Sequence, residues 1–419
     1  MRKVVFPSVS FSILRKVLFF VFLISITFAS GYAFGLKGFY ASLDKFPNVN
    51  ITREVPAQQG DLDFSLFWRI WDILDTKYYD KASIIPAKLV YGAIKGMVSA
   101  VGDPYTVFLP PQENKVVQED LQGSFDGVGI QIGFKGSQLA VIAPLPDSPA
   151  EKSGVQAGDF IIGIRDENKD LDIGTLGITL PEAVQAIRGP KGTKVTLTIL
   201  REGSDEPLTY DITRDSIEVP SITTEFVGES ENIAHVRLLK FAGETVDEWN
   251  ESVVDILTKE NVDGIIIDVR NNPGGYLQAA VDLSSDFLET GDIVVIEEGE
   301  SVGRKEYKVE KIGRLRKFKT VVLINEGSAS ASEILAGALR DQKGISIIGE
   351  SSFGKGTIQE PQQVDNGSGL HVTVARWLTP SEYWVNEKGI EPDEVIEDNP
   401  ETEEDEQLNK AIDFLTGGG

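Results

Sequence analysis

The sequence lacks or is poor in several residue types, and each shortage excludes a kind of chemistry. It contains no cysteine among 419 residues, which excludes a thiol nucleophile and disulfide bonds. Only two histidines are present, His235 and His371, and no His-Glu-x-x-His pair is available to hold zinc. Both histidines have apolar neighbours on each side in short runs typical of strands, so we expect sheet residues and not catalytic ones.

Positive charge is also in short supply. The chain has 40 Lys and Arg against 65 Asp and Glu, a formal net charge of -25 at pH 7. Because nucleic-acid binding depends on neutralising phosphates with Lys and Arg, this balance argues against a nucleic-acid partner. The length suits two or three domains, and a hydrophobic content of 41% is ordinary for a globular protein.

Residues 321–335 form the central motif of the chain. An apolar run is followed by small residues and then by a Leu/Ala pattern, which predicts a strand, a tight turn and a helix. Open α/β folds place chemistry at such turns, because strand ends and helix N-termini converge there. Ser330 has the Ser-x-x-Glu spacing to Glu333 that is typical of a helix N-cap, which is a purely structural interpretation. A serine in this position also lies beside oriented backbone N–H groups, the usual material of an oxyanion hole.

A nucleophilic serine needs a base, and a lysine can serve if burial disfavours its ammonium form and lowers its pKa. Lys355, between Gly354 and Gly356 just after the apolar run 345–348, is the lysine best placed to enter a packed site. A phosphate-binding loop is the rival interpretation of the segment Gly349-x-x-x-x-Gly-Lys. It fails at the next position, which holds glycine where such a loop needs Ser or Thr.

Together these residues resemble the active-site signature of the C-terminal processing peptidases, also called tail-specific proteases. The signature is Ser-Ala-Ser-Ala-Ser-Glu followed by Phe-Gly-Lys-Gly-Thr-x-Gln, and the resemblance covers nearly the whole chain after residue 60. In this family the base is a lysine 25 positions after the serine, and here 355 minus 330 is 25. The spacing selects Ser330 with Lys355, in preference to Ser328 or Ser332.

The resemblance also implies supporting roles for two further residues. Gln359 would orient the lysine, and Asp341 would support the site in some members of the family. The resemblance implies no metal and no cofactor.

A second turn is expected to complete the site. Residues 264–275 contain a continuous apolar run typical of a buried parallel strand, followed by Asn-Pro-Gly-Gly and a helix predicted over 276–288. Such a turn exposes N–H groups at a helix N-terminus, so we expect one oxyanion donor from Gly274 or Gly275 and the other from Ala331. Asn-Pro-Gly-Gly alone is ordinary turn chemistry. The alternation of strands and helices over 264–349 predicts an α/β core.

Residues 123–216 change to short β-branched runs separated by Gly and Pro, and they resemble a PDZ domain. Glycines before an edge strand let successive N–H groups point at a free carboxylate while the strand edge pairs with a peptide. The candidates for binding a substrate C-terminus are Gly127, Val128, Gly129 and Ile130. The alternative is that these glycines only shape a turn. An insertion-like segment, 167–177, is longer than a typical connection.

The N-terminus predicts a membrane location. Arg15 and Lys16 precede an uncharged apolar run, 17–36, that is long enough to cross a bilayer as a helix. The basic residues place the N-terminus in the cytoplasm and the rest of the chain outside. We expect an uncleaved single-pass anchor, with a secreted protein as the alternative if cleavage occurs near Ala29-Ser30-Gly31. The family resemblance further suggests a homodimer formed through the helical region 61–122.

We therefore expect a multi-domain α/β protein that acts as an extracytoplasmic serine endopeptidase on polypeptides bound by their C-termini. A catalytically silent PDZ scaffold at the membrane is the alternative, and acyl transfer to an acceptor other than water would use the same residues. The predicted segments are a membrane anchor or signal peptide (1–37), a linker (38–60), a helical region (61–122), a PDZ domain (123–216), a peptidase core (217–400) and an acidic tail with a short helix (401–419).

Overall fold

The computed structural model describes residues 11–36, 39–45, 48–53, 63–204, 206–398 and 404–417. The chain divides into two compact units, Met1–Val90 and Tyr91–Gly419. The elements that begin in the first unit are α1 (Phe11–Leu36), β1 (Phe39–Lys45), β2 (Asn48–Arg53), α2 (Ser65–Lys77) and α3 (Pro86–Ser99).

The predicted N-terminal helix is present as α1. Its stretch Arg15–Ala33 is long and apolar enough to cross a membrane by length and composition. The segment 38–60, predicted to be a linker, contains the antiparallel hairpin of β1 and β2. The remainder of that segment lies outside the described residues.

The second unit begins with elements that lead into an inserted domain. These are β3 (Val107–Leu109), α4 (Pro111–Gln122), β4 (Ser124–Gly127), β5 (Ile130–Lys135), β6 (Gln138–Pro144), α5 (Pro149–Lys152), β7 (Phe160–Asp166), β8 (Leu171–Gly174), α6 (Leu180–Ile187), β9 (Lys194–Leu200), β10 (Leu208–Thr213) and β11 (Asp215–Glu218). The chain enters this domain through β4 and leaves it through β11, and the two strands pair antiparallel.

The inserted domain folds around one sheet with the strand order β10-β9-β7-β6-β5. Alternate residues of β9, Val195, Leu197 and Ile199, are fully buried because successive side chains of a strand point to opposite faces. The insertion-like segment 167–177 forms a short 3-10 turn and then β8, which pairs antiparallel with β7. The insertion therefore extends the sheet.

The remaining elements form the core that surrounds this insertion. They are β12 (Ile222–Val227), β13 (Ile233–Leu238), α7 (Thr245–Thr258), β14 (Gly264–Asp268), α8 (Leu277–Ser284), β15 (Ile293–Gly299), β16 (Gly303–Lys308), β17 (Lys319–Ile324), α9 (Ala331–Lys343), β18 (Ser346–Gly349), β19 (Thr357–Gln363), β20 (Gly369–Leu378), β21 (Glu394–Val395) and α10 (Glu406–Thr416).

The central sheet has the order β12-β13-β14-β17-β18-β21, and all neighbours except β12 and β13 pair parallel. Every residue of β14 is buried, as the continuous apolar run predicts for a strand covered on both faces. Within β17, Val322 and Ile324 belong to the core cluster that includes α7, α8 and α9. Val321 and Leu323 pack with Ala411 of α10. Helices therefore cover both faces, and β14, β17 and β18 end at one edge.

A second, antiparallel sheet has the order β16-β15-β20-β19, with β3 beside β20. Strand β19 follows Lys355 directly. His371 lies in β20 and His235 in β13, so the prediction that both histidines are sheet residues is confirmed.

The helix predicted over 276–288 is shorter in the structure, where α8 ends at Ser284. After Ser284 the chain changes to tighter turns, in which the Asp286 and Phe287 N–H groups donate to the carbonyls three residues back, each at 3.1 Å. Asp286 is also bonded outside the helix: its carbonyl accepts the Leu315 N–H at 2.8 Å, and its buried carboxylate accepts the Trp249 indole N–H at 2.8 Å.

Candidate active site

Ser330 lies in the turn between β17 and α9. Its φ of 56° is positive, a conformation that residues other than glycine rarely adopt. The Ser330 N–H donates to the Glu333 carboxylate at 2.7 Å, and the N–H of the preceding Ala329 donates to the Asn272 carbonyl at 3.0 Å. The turn is therefore held both from its own helix and from the loop after β14.

The hydroxyl groups of the two neighbouring serines are hydrogen-bonded to backbone carbonyls. The Ser328 hydroxyl donates to the Val269 carbonyl at 2.8 Å, and the Ser332 hydroxyl donates to the Asn272 carbonyl at 2.9 Å; both side chains are fully buried. Ser330 is half-buried and lines a cleft of about 340 Å³. Of the three serines in the motif, Ser330 is thus the one open to a substrate.

Lys355 lines the same cleft from the loop after β18. Burial lowers its pKa, and the negative charges of Asp103 and Glu333 offset this only in part. In the described part of the chain no hydrogen bond joins the Lys355 ammonium to the Ser330 hydroxyl. The Lys355 Nζ atom instead lies 5.0 Å from the centroid of the Tyr105 ring.

The same loop does not resemble a phosphate-binding loop in three dimensions. Its Ser352 N–H donates to the Ile390 carbonyl at 3.1 Å, and its Phe353 N–H donates to the Ser328 carbonyl at 3.0 Å. The loop runs into β19 and not into a helix, so the rejection of the nucleotide-binding interpretation agrees with the fold.

Glu333 is the central acceptor of the site, and its full role was missed in the sequence. Its buried carboxylate accepts the Ser330 N–H at 2.7 Å, the Gly354 N–H at 2.7 Å, the Lys355 N–H at 3.0 Å and the Ser352 hydroxyl at 2.6 Å. Burial raises the pKa of Glu333, whereas these hydrogen bonds lower it. One carboxylate thus joins the serine turn to the lysine loop. The Ser-x-x-Glu spacing signalled its presence but indicated only a helix cap.

Gln359 and Asp341 lie in different surroundings. Gln359 lines the cleft, and its amide donates to the hydroxyls of Thr357 at 2.9 Å and Thr373 at 3.2 Å. Asp341 lies ten residues after Ala331 on α9, about 15 Å along the helix. Its carboxylate accepts the Ser381 N–H at 3.0 Å and hydroxyl at 2.7 Å. Gln359 is therefore near the lysine, whereas Asp341 holds the turn after β20.

The backbone beside Ser330 differs between the two candidate glycines. The Gly274 N–H donates to the Asn272 side-chain oxygen at 2.9 Å. Gly274 is also packed so closely that a Cβ there would lie 2.9 Å from Ser330 Cβ. Within the described residues, the N–H groups of Gly275 and Ala331 have no acceptor. Gly275 and Ala331 are therefore the N–H groups left available to an oxyanion.

Gly275 is held in place by Phe241. The Phe241 N–H donates to the Gly274 carbonyl at 2.9 Å, and the Phe241 carbonyl accepts the Tyr276 N–H at 2.8 Å. A Cβ on Gly275 would lie 2.0 Å from the Phe241 carbonyl oxygen, and its φ is 142°. Only glycine allows this close approach of two backbones.

The other walls of the cleft come from elements that the sequence did not assign to the site. Val117, Asp120 and Leu121 of α4 line it, together with Lys240, whose ammonium is bonded to the Asp120 carboxylate. Most of the remaining lining is apolar, and it includes Leu277, Ile334, Ile358 and Trp377. His371 lines the cleft as well, and burial together with the charge of Lys355 lowers its pKa.

A separate groove of about 80 Å³ lies on the inserted domain. Val128, Gly129 and Ile130 line it on one side and α6 on the other, whereas Gly127 is paired with Asp215 in the strand β4. Gly129 has a φ of 72°, and a Cβ there would lie 2.4 Å from Ser148 Cβ. The glycine therefore permits the loop to pass closely over α5.

Comparison with known proteins assigns families to these parts. Residues 232–396 match peptidase family S41, residues 141–201 match a PDZ domain, and residues 27–112 match the N-terminal domain of the activating protease CtpB.

Individual relatives resemble the chain over most of its length. The carboxy-terminal processing protease CtpA of Bacillus subtilis is 35% identical over 375 residues, which cover 90% of this chain and 76% of that protein. The carboxyl-terminal-processing protease of Synechocystis sp. is 34% identical over 382 residues, covering 86% of this chain and 85% of that protein. A solved structure, the photosystem II D1 C-terminal processing protease, is 29% identical, covers 86% of this chain and 98% of that chain, and has a TM-score of 0.47. Because CtpA is 35% identical over most of both sequences, the chain belongs to peptidase family S41 and is a serine-type, C-terminal processing protease that carries a PDZ domain.

Proposed function

We propose that this protease hydrolyses peptide bonds with Ser330 as the nucleophile and Lys355 as the general base. The observation that carries the proposal is that both side chains line one cleft, where burial lowers the pKa of the lysine. A lysine whose pKa is lowered is neutral in a larger fraction of molecules at a given pH, and only the neutral amine can accept a proton.

The reaction begins with a rotation of the flexible Lys355 side chain, since its amine is not hydrogen-bonded to Ser330 at rest. The amine then takes the Ser330 hydroxyl proton as the oxygen bonds to the substrate carbonyl carbon. The carbonyl π electrons move to its oxygen, which accepts hydrogen bonds from the N–H groups of Gly275 and Ala331. Gly274 fits this role less well, because its N–H is bonded to Asn272.

The ammonium of Lys355 next gives its proton to the leaving nitrogen as the C–N bond breaks, which releases the amine product and leaves an acyl-enzyme. Water then gives a proton to the neutral lysine and attacks the ester carbonyl. The ester bond breaks, the Ser330 oxygen takes the proton back, and the carboxylic acid product leaves. The cycle thus returns Ser330 and Lys355 to their starting protonation states.

Two residues are proposed to assist this cycle. The Gln359 amide lies in the cleft and orients the lysine once the side chain rotates toward Ser330. Asp341 supports the site indirectly, by holding the turn after β20 through Ser381. The same dyad would serve an acyl transfer to a nucleophile other than water.

The PDZ domain is proposed to select the substrate by its C-terminal end. Gly127 ends β4, and the backbone of Val128, Gly129 and Ile130 that follows it lines the groove, where it is proposed to receive the carboxylate; the edge of β5 is available for an added strand. The narrow groove accommodates one apolar side chain between Ile132 and Val184.

Membrane attachment and self-association are proposed from the first unit. Helix α1 has the length and composition of a membrane span, with Arg15 and Lys16 at its cytoplasmic side. Helix α2 has Leu66, Ile70 and Ile73 exposed on one face, and an apolar face of this kind fits a second copy of the chain. The catalytic part would then lie outside the cytoplasm, anchored as a homodimer.

The decisive experiment compares the full-length wild type with Ser330→Ala and Lys355→Ala. Cleavage of an unfolded model protein is followed by mass spectrometry from about pH 6 to about pH 10, a range that brackets the titration of a desolvated lysine. We expect each variant to lose at least about 10³-fold in rate. Lys343→Ala is the matched control, because burial also lowers the pKa of Lys343 outside the cleft.

Cleavage that survives either active-site substitution would refute the dyad. A wild type that neither cleaves nor reacts with a fluorophosphonate probe would favour the alternative, a PDZ adaptor at the membrane. The observation that favours this adaptor is that no hydrogen bond joins the Ser330 and Lys355 side chains, both of which the structure describes. Substrates with a free and an amidated C-terminus are compared in the same assay. Equal KM values for the two would contradict recognition of the carboxylate.

A further inference from the structure

A turn outside the serine and lysine motifs lies against Lys355, the lysine that lines the cleft. The Asp103 carboxylate accepts the Tyr105 N–H at 3.1 Å and the Thr106 hydroxyl at 2.6 Å, which closes the turn between α3 and β3. The Thr106 hydroxyl oxygen in turn accepts the Thr373 N–H of β20 at 3.1 Å. The turn is therefore fixed on the sheet that also carries Gln359.

This turn brings an aromatic ring against the lysine. The Lys355 Nζ atom lies 5.0 Å from the centroid of the Tyr105 ring, within the distance at which a ring face attracts a cation. Both residues are half-buried, which strengthens such an attraction because less water competes for the cation. The charged groups that face the ammonium are Asp103 and Glu333, with His371 as a neighbouring titratable group. None of these forms an ion pair with Lys355 within the described part of the chain.

The surroundings of Tyr105 favour the neutral form of its ring. Burial and the charges of Glu333 and Asp103 raise the pKa of Tyr105 above its ordinary value of 10.0. The raised pKa of Tyr105 and the lowered pKa of Lys355 both favour a protonated phenol while the lysine titrates. The attraction follows the charge of the lysine and vanishes when the amine is neutral.

We propose that Tyr105 is a positioning residue for Lys355, and that its ring holds the ammonium form of the side chain in the cleft beside Ser330. The proposal rests on the proposed function, because it matters only if Lys355 exchanges protons during the reaction. Gln359, whose amide donates to Thr357 and Thr373, does not hold the lysine in this structure.

The proposal assigns Tyr105 two opposed effects. The ring favours the protonated lysine, so it raises the pH at which the free enzyme becomes active. It also limits the conformations of a long side chain, which keeps the amine in the cleft from which it rotates toward Ser330. Loss of the ring should therefore move the pH profile to lower pH and reduce the maximal rate.

The experiment measures kcat/KM against pH for the full-length wild type, Tyr105→Phe and Tyr105→Leu. Leucine keeps an apolar side chain over the lysine but has no ring, whereas phenylalanine keeps the ring. For Tyr105→Leu we expect the acidic limb to move about 0.5 to 1 pH unit lower, with a smaller maximal kcat. For Tyr105→Phe we expect the limb to stay at the wild-type pH.

The matched control is Tyr307→Leu. Tyr307 makes the same kind of contact with Lys305, at 4.1 Å, but does not line the cleft. Its replacement should leave the acidic limb unmoved. If Tyr105→Leu fails to fold, trifluorinated phenylalanine at position 105 gives the test, because fluorination keeps the shape of the ring and weakens its negative face. The limb should then move lower, as for leucine.

Several results would overturn the proposal. These are an acidic limb that does not move in Tyr105→Leu, a limb that moves upward, and a shift in Tyr105→Phe as large as in Tyr105→Leu. Failure of the proposed dyad is a separate outcome, since it appears as activity in Ser330→Ala or Lys355→Ala. An active wild type with an unshifted Tyr105→Leu contradicts the role of Tyr105 alone.

Discussion

A buried carboxylate, Asp268, and a half-buried lysine, Lys355, lie near the carboxyl edge of the central sheet, and they differ in their partners. Asp268, the last residue of β14, accepts hydrogen bonds from His235 at 3.1 Å and from the Arg270 guanidinium at 2.7 and 2.9 Å. Burial opposes its charge, but these hydrogen bonds outweigh burial and hold the pKa of Asp268 well below its ordinary value. We call this group the ion-pair cluster, which consists of Asp268, Arg270, His235, Glu225 and Asp405.

Lys355 has the opposite balance. Burial lowers its pKa, and its contact with the Tyr105 ring and the more distant charges of Asp103 and Glu333 do not restore it. A buried charge with complete partners stays ionised and holds a fold together. A buried charge with incomplete partners gives up its proton more easily, which is what a base requires. Near one edge of the central sheet, the fully paired charge of Asp268 is therefore suited to stabilise the fold, whereas the incompletely paired Lys355 is suited to accept a proton.

Among the substitutions that test this comparison, Asp268→Ala should have the largest effect, and it should act on the free energy of unfolding. It removes the buried acceptor that Arg270 and His235 share and leaves them only the more exposed Asp405 and Glu225. Removing one partner of a buried pair destabilises a protein by about 3–5 kcal/mol. We expect that loss in urea unfolding of the full chain, followed by tryptophan fluorescence. The control is Asp255→Ala, because Asp255 is exposed on α7. A loss no greater than that of the control would contradict the assignment of the cluster to stability.

Glu333→Gln should have the next largest effect, on rate instead of stability. The amide nitrogen of glutamine is a donor and faces N–H groups, so the turn of Ser330 and the loop of Lys355 lose part of their common anchor. We expect kcat to fall about 10- to 100-fold, as small misplacements of reacting groups do, with little change in KM. Glu326→Gln, at an exposed position in the same turn, is the control. An unchanged kcat would show that Glu333 does not position the dyad.

Lys355→Met should have the smallest effect on stability, and in the opposite direction from Asp268→Ala. Methionine removes a cation that burial disfavours, so inactive protein should be more stable by about 0.5–1 kcal/mol near neutral pH. Because the folded-state pKa of Lys355 is lowered, the unfolded chain binds the lysine proton more tightly. Wild-type stability therefore rises with pH between the folded-state pKa and the ordinary value of 10.5. The advantage of methionine should shrink as the pH approaches 10.5, the ordinary value for lysine. Urea unfolding at several pH values measures it, and a constant difference would contradict the desolvation of Lys355.

The local parts of the fold were predictable from the sequence. Continuous apolar runs produced the buried strands β14, β17 and β18, because a strand covered on both faces has no polar side to show. The Ser-x-x-Glu spacing and the glycines around Lys355 marked the two loops of the cleft. The helix α8 was predicted too long, because the apolar pattern continues through the tighter turns that follow Ser284 and does not distinguish them from an α-helix.

The sequence by itself determined the local motifs on which the proposed chemistry depends: a serine at a strand-to-helix turn, a glycine-flanked lysine after the next strand, and a glycine-rich turn beside the edge strand of the PDZ domain. These are local patterns, and local backbone preferences are enough to form them. Only the tertiary structure decided how they work together. It brought Tyr105 from the helical region to Lys355, gave Glu333 four donors from two loops, and left Gly275 instead of Gly274 with a free N–H. Contacts between residues far apart in sequence depend on how sheets and loops pack, and local spacing carries no record of that packing.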